Sequence, residues 1–313
     1  MAPYTPAMVQ HQLPAGVTVF ERGWLSSNNI LMVGRDHCAL VDSGYATHAT
    51  QTLALVGAAL GGRALDRLLN THLHSDHCGG NATLQTRYPG LQTLIPPGHA
   101  HLVAPWNPQA LGYLPTGQVC PAFHFESVLQ PGSEIVLGDC PWQIHAAPGH
   151  DPNSVILFEP QSRLLLSADA LWGNGFGVVF PELDGADAFE AVADTLDLIE
   201  SLAPRTVIPG HGALFSDVAK ALERARRRLD SYVADPLRHR RYATKVLIKF
   251  KLLEAQQLSE AALLNWARNT ELLVHLHRDD QAGGDFGDWM AGLIDELASS
   301  GALRRVEAQI LNQ

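Results

Sequence analysis

Three histidines and an aspartate crowd into one short stretch, Thr71-His72-Leu73-His74-Ser75-Asp76-His77. Imidazole is the commonest side-chain metal ligand, and four donors within six residues are dense enough to serve two divalent ions. A lone histidine is more often an ordinary core or surface residue. A chance H-x-H-x-D-H in a chain with 15 histidines, however, has odds of about one in a thousand. Structural zinc sites close with four ligands, whereas catalytic ones leave a position for water. Two open sites need further donors, and the sequence offers three in order: His150 after Ala147-Pro148-Gly149, Asp169 after Leu166-Ser167-Ala168, and His211 in Pro209-Gly210-His211-Gly212. The glycine before each of these two histidines lets the chain turn tightly and present the ring.

The elements that must hold these donors read as alternating β and α segments. Residues 18–21, 30–33, 38–42 and 65–70 are predicted strands, 46–60 a helix ended by Gly61-Gly62, and 81–88 a short helix. After an irregular, Pro-rich stretch at 96–121 come predicted strands at 134–137, 143–147, 155–158, 164–167 and 206–209, with a helix over 186–202. The strand at 65–70 runs straight into the histidine cluster, where His72 and His74 would face the same side. Such blocks fit two packed sheets with helices outside. From Ser216, read as an N-cap, the pattern turns helical: an apolar stripe through Val218, Leu222, Ala225, Leu229 and Tyr232, a break at Asp235-Pro236, then helices at 244–254, 259–269 and 286–300. The alternating tail 303–311 is predicted to form a small wing. A catalytic domain of residues 1–233 would thus precede a helical, winged-helix-like domain of residues 234–313.

Composition bounds the class. No apolar run approaches the roughly 18–20 residues that span a bilayer. The opening Met1-Ala2-Pro3-Tyr4-Thr5-Pro6 lacks the basic-then-apolar pattern of a signal peptide. Four scattered cysteines without a C-x-x-C pair read as free thiols in a reducing compartment, so a cytoplasmic protein is expected. The net charge of −10 hides an asymmetry: residues 219–251 hold eleven Lys/Arg against three acidic residues, about +8, leaving about −18 elsewhere. Such a stretch could contact RNA phosphates, although a charge run is more often a solvated helix face.

The ordered set of H-x-H-x-D-H, G-H, an Asp after an apolar strand and P-G-H-G resembles the metallo-β-lactamase superfamily, as does Leu40-Val41-Asp42-Ser43-Gly44. The likeness covers roughly residues 15–215. It implies an α/β fold, a four-layer αββα sandwich with its metals at one edge. By that resemblance His72, His74 and His150 hold one ion, Asp76, His77 and His211 the other, Asp169 bridges them, and Asp42 orients the loop from behind. Zinc is the expected metal, with iron and manganese as alternatives. Coordination lowers the pKa of water to roughly 7, so a hydroxide shared by the two ions would be the nucleophile. Asp76 and Asp169 would be catalytic through the centre they hold, and no serine, Ser154 included, is required.

Departures narrow the substrate. Enzymes that open β-lactam rings usually have Cys where Asp169 stands, and flavodiiron proteins have Glu where His74 stands. Asp151-Pro152-Asn153 replaces the more usual Thr-Pro-Gly. The run continuing through Cys78-Gly79-Gly80-Asn81 resembles glyoxalase II, which implies a small-molecule thioester or ester. The basic C-terminal segment resembles that of the lactamase-β-like endoribonucleases, which implies single-stranded RNA instead. Persulfide dioxygenases share the fold and bind one iron with a subset of these ligands. Trp106, Tyr113, Trp172 and Phe176 are the candidate pocket residues, and Cys78 reads as a small buried residue behind the site. A homo-oligomer is compatible with each reading.

Overall fold

A computed structural model describes residues 13–280 and 284–313; the opening hexapeptide lies outside them. Nearly every position of the central strands is apolar and buried, as expected where both faces of a sheet are covered. The first sheet has the order β1 (Val17–Phe20), β2 (Asn29–Val33), β3 (Cys38–Val41), β4 (Arg67–Leu69), β5 (Gln92–Ile95) and β6 (Ser127–Val128). Its first three strands pair antiparallel and β3 to β6 pair parallel. The second sheet uses β7 (Glu134–Leu137), β8 (Cys140–Ala146), β9 (Val155–Glu159), β10 (Leu164–Ala168) and β11 (Thr206–Pro209), in the order β11-β10-β9-β8-β7.

Alternation along the strands builds the layers. Ile30, Met32, Val41 and Leu69 from one sheet meet Trp142, Ile144, Leu157, Leu166 and Ile208 from the other. The opposite faces carry helices. Leu31, Leu40 and Leu68 pack under α1 (Ala49–Leu60), whose Val56 and Leu60 join them. Next come α2 (Ser75–Cys78), α3 (Asn81–Arg87), α4 (Ala100–Val103) and α5 (Phe180–Leu183). Ile156, Phe158, Leu165 and Val207 pack under α6 (Phe189–Leu202) and α7 (Val218–Ala234). The result is helix, sheet, sheet, helix, as the sequence pattern predicts.

The C-terminal region has its own apolar cluster, formed by α8 (Pro236–Ala255), α9 (Glu260–Arg268), α10 (Glu271–Asp279) and α11 (Phe286–Ser299). A small antiparallel sheet closes it: β12 (Gln257–Ser259) pairs with β14 (Gln309–Asn312), which pairs with β13 (Leu303–Val306). The tail expected to alternate is this β13–β14 hairpin. Boundaries differ in instructive ways. Helix α7 starts at Val218 with Asp217 before it and no side-chain cap, so Ser216 is not the N-cap. The break at Asp235 is real, but α8 resumes at once because proline fits a first helical turn, where no N–H partner is required. Helix α10 has no sequence counterpart; it follows α9 after only Asn269 and Thr270, and no side chain caps it.

Most of the basic stretch is engaged within the fold. Arg226 meets Asp197 and Glu200 (both 2.6 Å), Arg227 meets Glu223 (2.7 Å), Arg240 meets Asp279 (2.5 Å), and Arg241 and Lys245 share Glu296. Lys220 and Lys251 pair with Asp217 and Glu254. Arg224, Arg228 and Lys249 donate to backbone carbonyls. Among the described residues no helix is long and apolar enough to cross a membrane.

His239 joins the two regions. It is buried, its Nε2 accepts the Val179 N–H at 3.0 Å, and its ring packs on Phe189 and Tyr232. Burial, aided by the charge of Arg240, pushes its pKa from 6.5 down to about 4. The unfolded chain therefore binds this proton before the folded one does. Its contribution to stability is whole above pH 6.5 and is lost progressively as pH falls toward 4. Thermal melts of the wild type and His239→Gln, whose amide oxygen can accept the same N–H, should diverge in slope between pH 7 and 5. The loss expected in the wild type alone is on the order of 2 kcal/mol by pH 5. Parallel curves would contradict it.

Candidate metal centre

Strand ends deliver the donors to one edge of the sandwich. Val41 of β3 is followed by Asp42, Leu69 of β4 by the histidine cluster, Ala146 of β8 by the turn to His150, Ala168 of β10 by Asp169, and Pro209 of β11 by Gly210-His211. Backbone hydrogen bonds stitch the sheets together here, Val155 N–H to the Thr71 carbonyl (2.8 Å) and Asn28 N–H to Gly210 (2.7 Å), and Ser27 N–H to Asp76 (2.9 Å) ties two loops of the first sheet. Asn28 adds side-chain donations to the carbonyls of Pro209 and Gly212. Asp42 (φ 58°) and Ala168 (φ 45°) take left-handed conformations, which L-residues keep only when their surroundings enforce them. His72 and His74 lie beyond the strand rather than on it, His74 in extended backbone just before α2.

All seven predicted donors converge. His72, His74 and His150 form one group, His72, His77 and Asp169 a second, and Asp76, His77 and His211 a third, with the ligand atoms of each group within 4.8 Å of one another. Asp169 stands between the ends: its Oδ2 is 3.4 Å from His150 Nε2 and 3.8 Å from His211 Nε2, and its Oδ1 is 3.5 Å from His77 Nε2. His211 Nε2 also lies 3.1 Å from Asp76 Oδ2.

The outward ring nitrogens are committed to other partners. His150 Nδ1–H donates to the Val178 carbonyl (2.5 Å), His211 Nδ1–H to Gly23 (3.0 Å), and His77 Nδ1–H to Asp42 Oδ2 (2.8 Å). Thr71 fixes Asp42 in turn, its N–H donating to Oδ1 (2.9 Å) and its hydroxyl to Oδ2 (2.8 Å). This leaves lone pairs pointing inward. His150 Nε2 faces His74 Nδ1 at 2.8 Å and His72 Nε2 at 3.3 Å, while His77 Nε2 is buried with no hydrogen-bond partner among the described residues. Converging imidazole lone pairs and an orphaned buried nitrogen are what a divalent cation satisfies, and the donor set fits one.

Electrostatics agree. Burial, with help from His77, holds His72 well below the usual histidine range, and burial with His150 brings His74 to about 4, so both are neutral ligands. His77 and His211 are raised: burial opposes their charging, but Asp42 and Asp169 outweigh it at His77, and Asp169 and Asp76 at His211. Burial opposes ionisation of Asp169 too, yet His211 and His77 keep it well below the ordinary carboxylate range. A bound cation would take the place of those protons.

Asp42 acts through His77, so Asp42→Asn keeps size and left-handed tolerance but weakens the acceptor. Metal affinity should drop about 10- to 100-fold in chelator competition. Wild-type affinity in that variant would deny Asp42 its orienting role.

The pocket residues divide. Trp172 lines the cavity, its Nε1–H donating to Asp169 Oδ1 at 3.1 Å. Tyr113 reaches the wall but is nearly buried, its hydroxyl donating to the Leu73 carbonyl. Trp106 and Phe176 do not line it. Trp106 stacks on Tyr113 and meets Phe123 edge-on in a satellite core, and Phe176 turns inward against Tyr232 and Arg228. Trp24, which no motif marks, is 55% exposed, stacked on His211 at 5.6 Å and edge-on to Trp172 at 5.3 Å. Phe180 covers His74 at 4.7 Å. Cys78 joins none of the donor groups.

The family model for the metallo-beta-lactamase superfamily matches residues 22–211. A hydroxyacylglutathione hydrolase from Anaeromyxobacter dehalogenans (strain 2CP-C) is 32% identical over 159 residues, covering 50% of this chain and 51% of that protein. The chain spans about half the length of the curated relatives it matches. A metallo-beta-lactamase family protein from Thermus thermophilus superposes with a TM-score of 0.58 at 18% identity, over 96% of this chain and all (100%) of the other, which shows a shared fold. A protein solved in a di-iron-bound form superposes with a TM-score of 0.52 at 27% identity, over 66% of this chain and 96% of the other.

Proposed function

This chain belongs to the metallo-β-lactamase superfamily, and from that membership we propose that it is a metal-dependent hydrolase of a small-molecule thioester or ester. One observation carries the reading: the donor cluster forms part of the wall of a cavity of about 940 Å³ that the C-terminal region helps to enclose. Phe250 of α8, Arg268 of α9 and Arg278 of α10 line it together with Trp24, Trp172 and Phe180. A pocket of this size suits a small ligand. The curated relatives named hydroxyacylglutathione hydrolase support the same chemistry over the matched segment.

Bound by His72, His74 and His150 and by Asp76, His77 and His211, divalent ions, zinc in our reading, would polarise a carbonyl and lower the pKa of water. The chain's own residues supply the setting. Asp169, between the groups, holds them in register. Trp24, Trp172 and Phe180 shield the site from bulk water, which strengthens every charge interaction inside it. Arg268 and Arg278 are exposed at the cavity wall without an ion-pair partner among the described residues, a suitable place for an anionic group on the substrate. The paired basic side chains of residues 219–251 favour a structural role over an RNA-binding one.

The test is a panel of acyl-glutathione and acyl-CoA thioesters beside labelled single-stranded RNA, using zinc-loaded wild type and the Asp76→Ala, His77→Ala double variant. Metal-dependent thioester turnover by the wild type alone supports the proposal. RNA cleavage by the wild type alone, with thioesters untouched, replaces it with the nuclease reading.

A further inference from the structure

Two of the four cysteines, 42 residues apart, come together behind the metal centre. Cys78 is the last residue of α2, directly after His77, and is fully buried. Cys120 is only partly buried and ends the segment whose Tyr113, Thr116 and Gln118 line the cavity. Their sulfurs are 3.7 Å apart, and the Tyr113 hydroxyl is 3.2 Å from the Cys78 sulfur. A disulfide needs about 2.05 Å between sulfurs, so an approach of roughly 1.7 Å closes the bond.

The two sides differ in freedom to make that approach. Behind Cys78 the backbone is wedged: a Cβ on Gly79 would lie 2.5 Å from Ala46 N, and one on Gly80 2.5 Å from Ser43 O. Next to Cys120 the segment is joined to the first sheet's loops by single hydrogen bonds, the Val119 N–H donating to the Tyr45 hydroxyl (3.1 Å) and the Ser75 hydroxyl donating to Gln118 Oε1. Its other bonds, such as Gln118 N–H to the Tyr113 carbonyl (2.9 Å), lie further back along the segment. Cys120 is the sulfur that moves, and it is also the one solvent can reach.

We propose that Cys78 and Cys120 are an oxidation site, converted to a disulfide by a hydroperoxide, and that this bond tethers the cavity wall at residues 113–120 to the helix carrying Asp76 and His77. The Cys120 sulfur attacks a peroxide oxygen. The O–O bond breaks, the leaving oxygen departs as water or an alcohol with the Cys120 proton, and a sulfenic acid remains. The Cys78 sulfur then attacks that sulfur. The S–O bond breaks, and hydroxide leaves with the Cys78 proton as water. Two thiols are oxidised and one peroxide is reduced. The proposal does not depend on which substrate the centre hydrolyses.

The zinc-loaded full-length protein is treated with hydrogen peroxide, then denatured, alkylated and peptide-mapped. Free thiols should fall from four to two, with one linked peptide joining Cys78 to Cys120 that dithiothreitol reverses. Backbone hydrogen exchange at residues 113–120 should slow severalfold in the oxidised protein and stay unchanged in Cys120→Ser, where the serine occupies a partly exposed position that tolerates it. Recovery of both thiols as alkylated cysteines overturns the proposal, as does overoxidation of Cys120 without the linked peptide. A linked peptide with unaltered exchange overturns the tether.

Discussion

Asp169→Ala should leave the protein folded but unable to retain its metal, with any metal-dependent hydrolysis reduced at least about 10³-fold. Removing a side chain that merely orients a ligand already costs about 10- to 100-fold in metal affinity or activity. Asp169 does more: its two oxygens face His77, His150 and His211 at 3.4–3.8 Å, so both ends of the donor cluster lose a partner. The fold should tolerate the change because the buried strands on either side, β10 and β11, remain paired. Metal content by elemental analysis, beside a far-ultraviolet melt, checks both halves. Full metal content in the variant would remove Asp169 from the centre.

Gly210→Ala is expected to empty the site as effectively without touching a donor. A Cβ there would lie 2.1 Å from Asp169 Oδ1 and 3.0 Å from His77 Cε1. Real Cβ contacts do not reach 2.1 Å, so the Asp169 carboxylate must swing out of the position that joins the two groups. Gly212→Ala is the matching control. Gly212 has φ +83° but nothing within 4 Å, so that variant should lose about 1 kcal/mol of stability through backbone strain and keep its metal. Equal metal content in the two variants would show that the contact at Gly210 does not matter.

The cluster of candidate metal donors was legible in the sequence because its pattern is local. Four donors sit within one turn and its approach, Asp169 follows directly on an apolar strand, and His150 and His211 come within a few residues of a strand end, each after a glycine. The αββα layering was legible for a related reason: the central strands are buried on both faces and read as short apolar runs. The cavity was not legible. Trp24, Phe250 and Arg268 belong to segments that meet only in the folded chain, and no spacing announces that meeting. Nearness in sequence misled at Phe176, seven residues past Asp169, because the chain turns there and sends the ring under Arg228. The neutralisation of the basic stretch was not legible for another reason. Several of its partners, among them Asp197, Glu200 and Glu296, lie tens of residues away, so charge counting within residues 219–251 could not register their neutralisation. The Cys78–Cys120 contact is hidden likewise, since the two lie 42 positions apart and the chain between them carries no pairing signal.

The central claim is that this chain holds two metal ions in one donor cluster, and anomalous diffraction from crystals of the metal-loaded protein tests it most directly. Data collected on either side of the zinc edge should show two peaks, one among His72, His74 and His150 and the other among Asp76, His77 and His211, with Asp169 between them. A single peak, or none in crystals grown with zinc in excess, would contradict it.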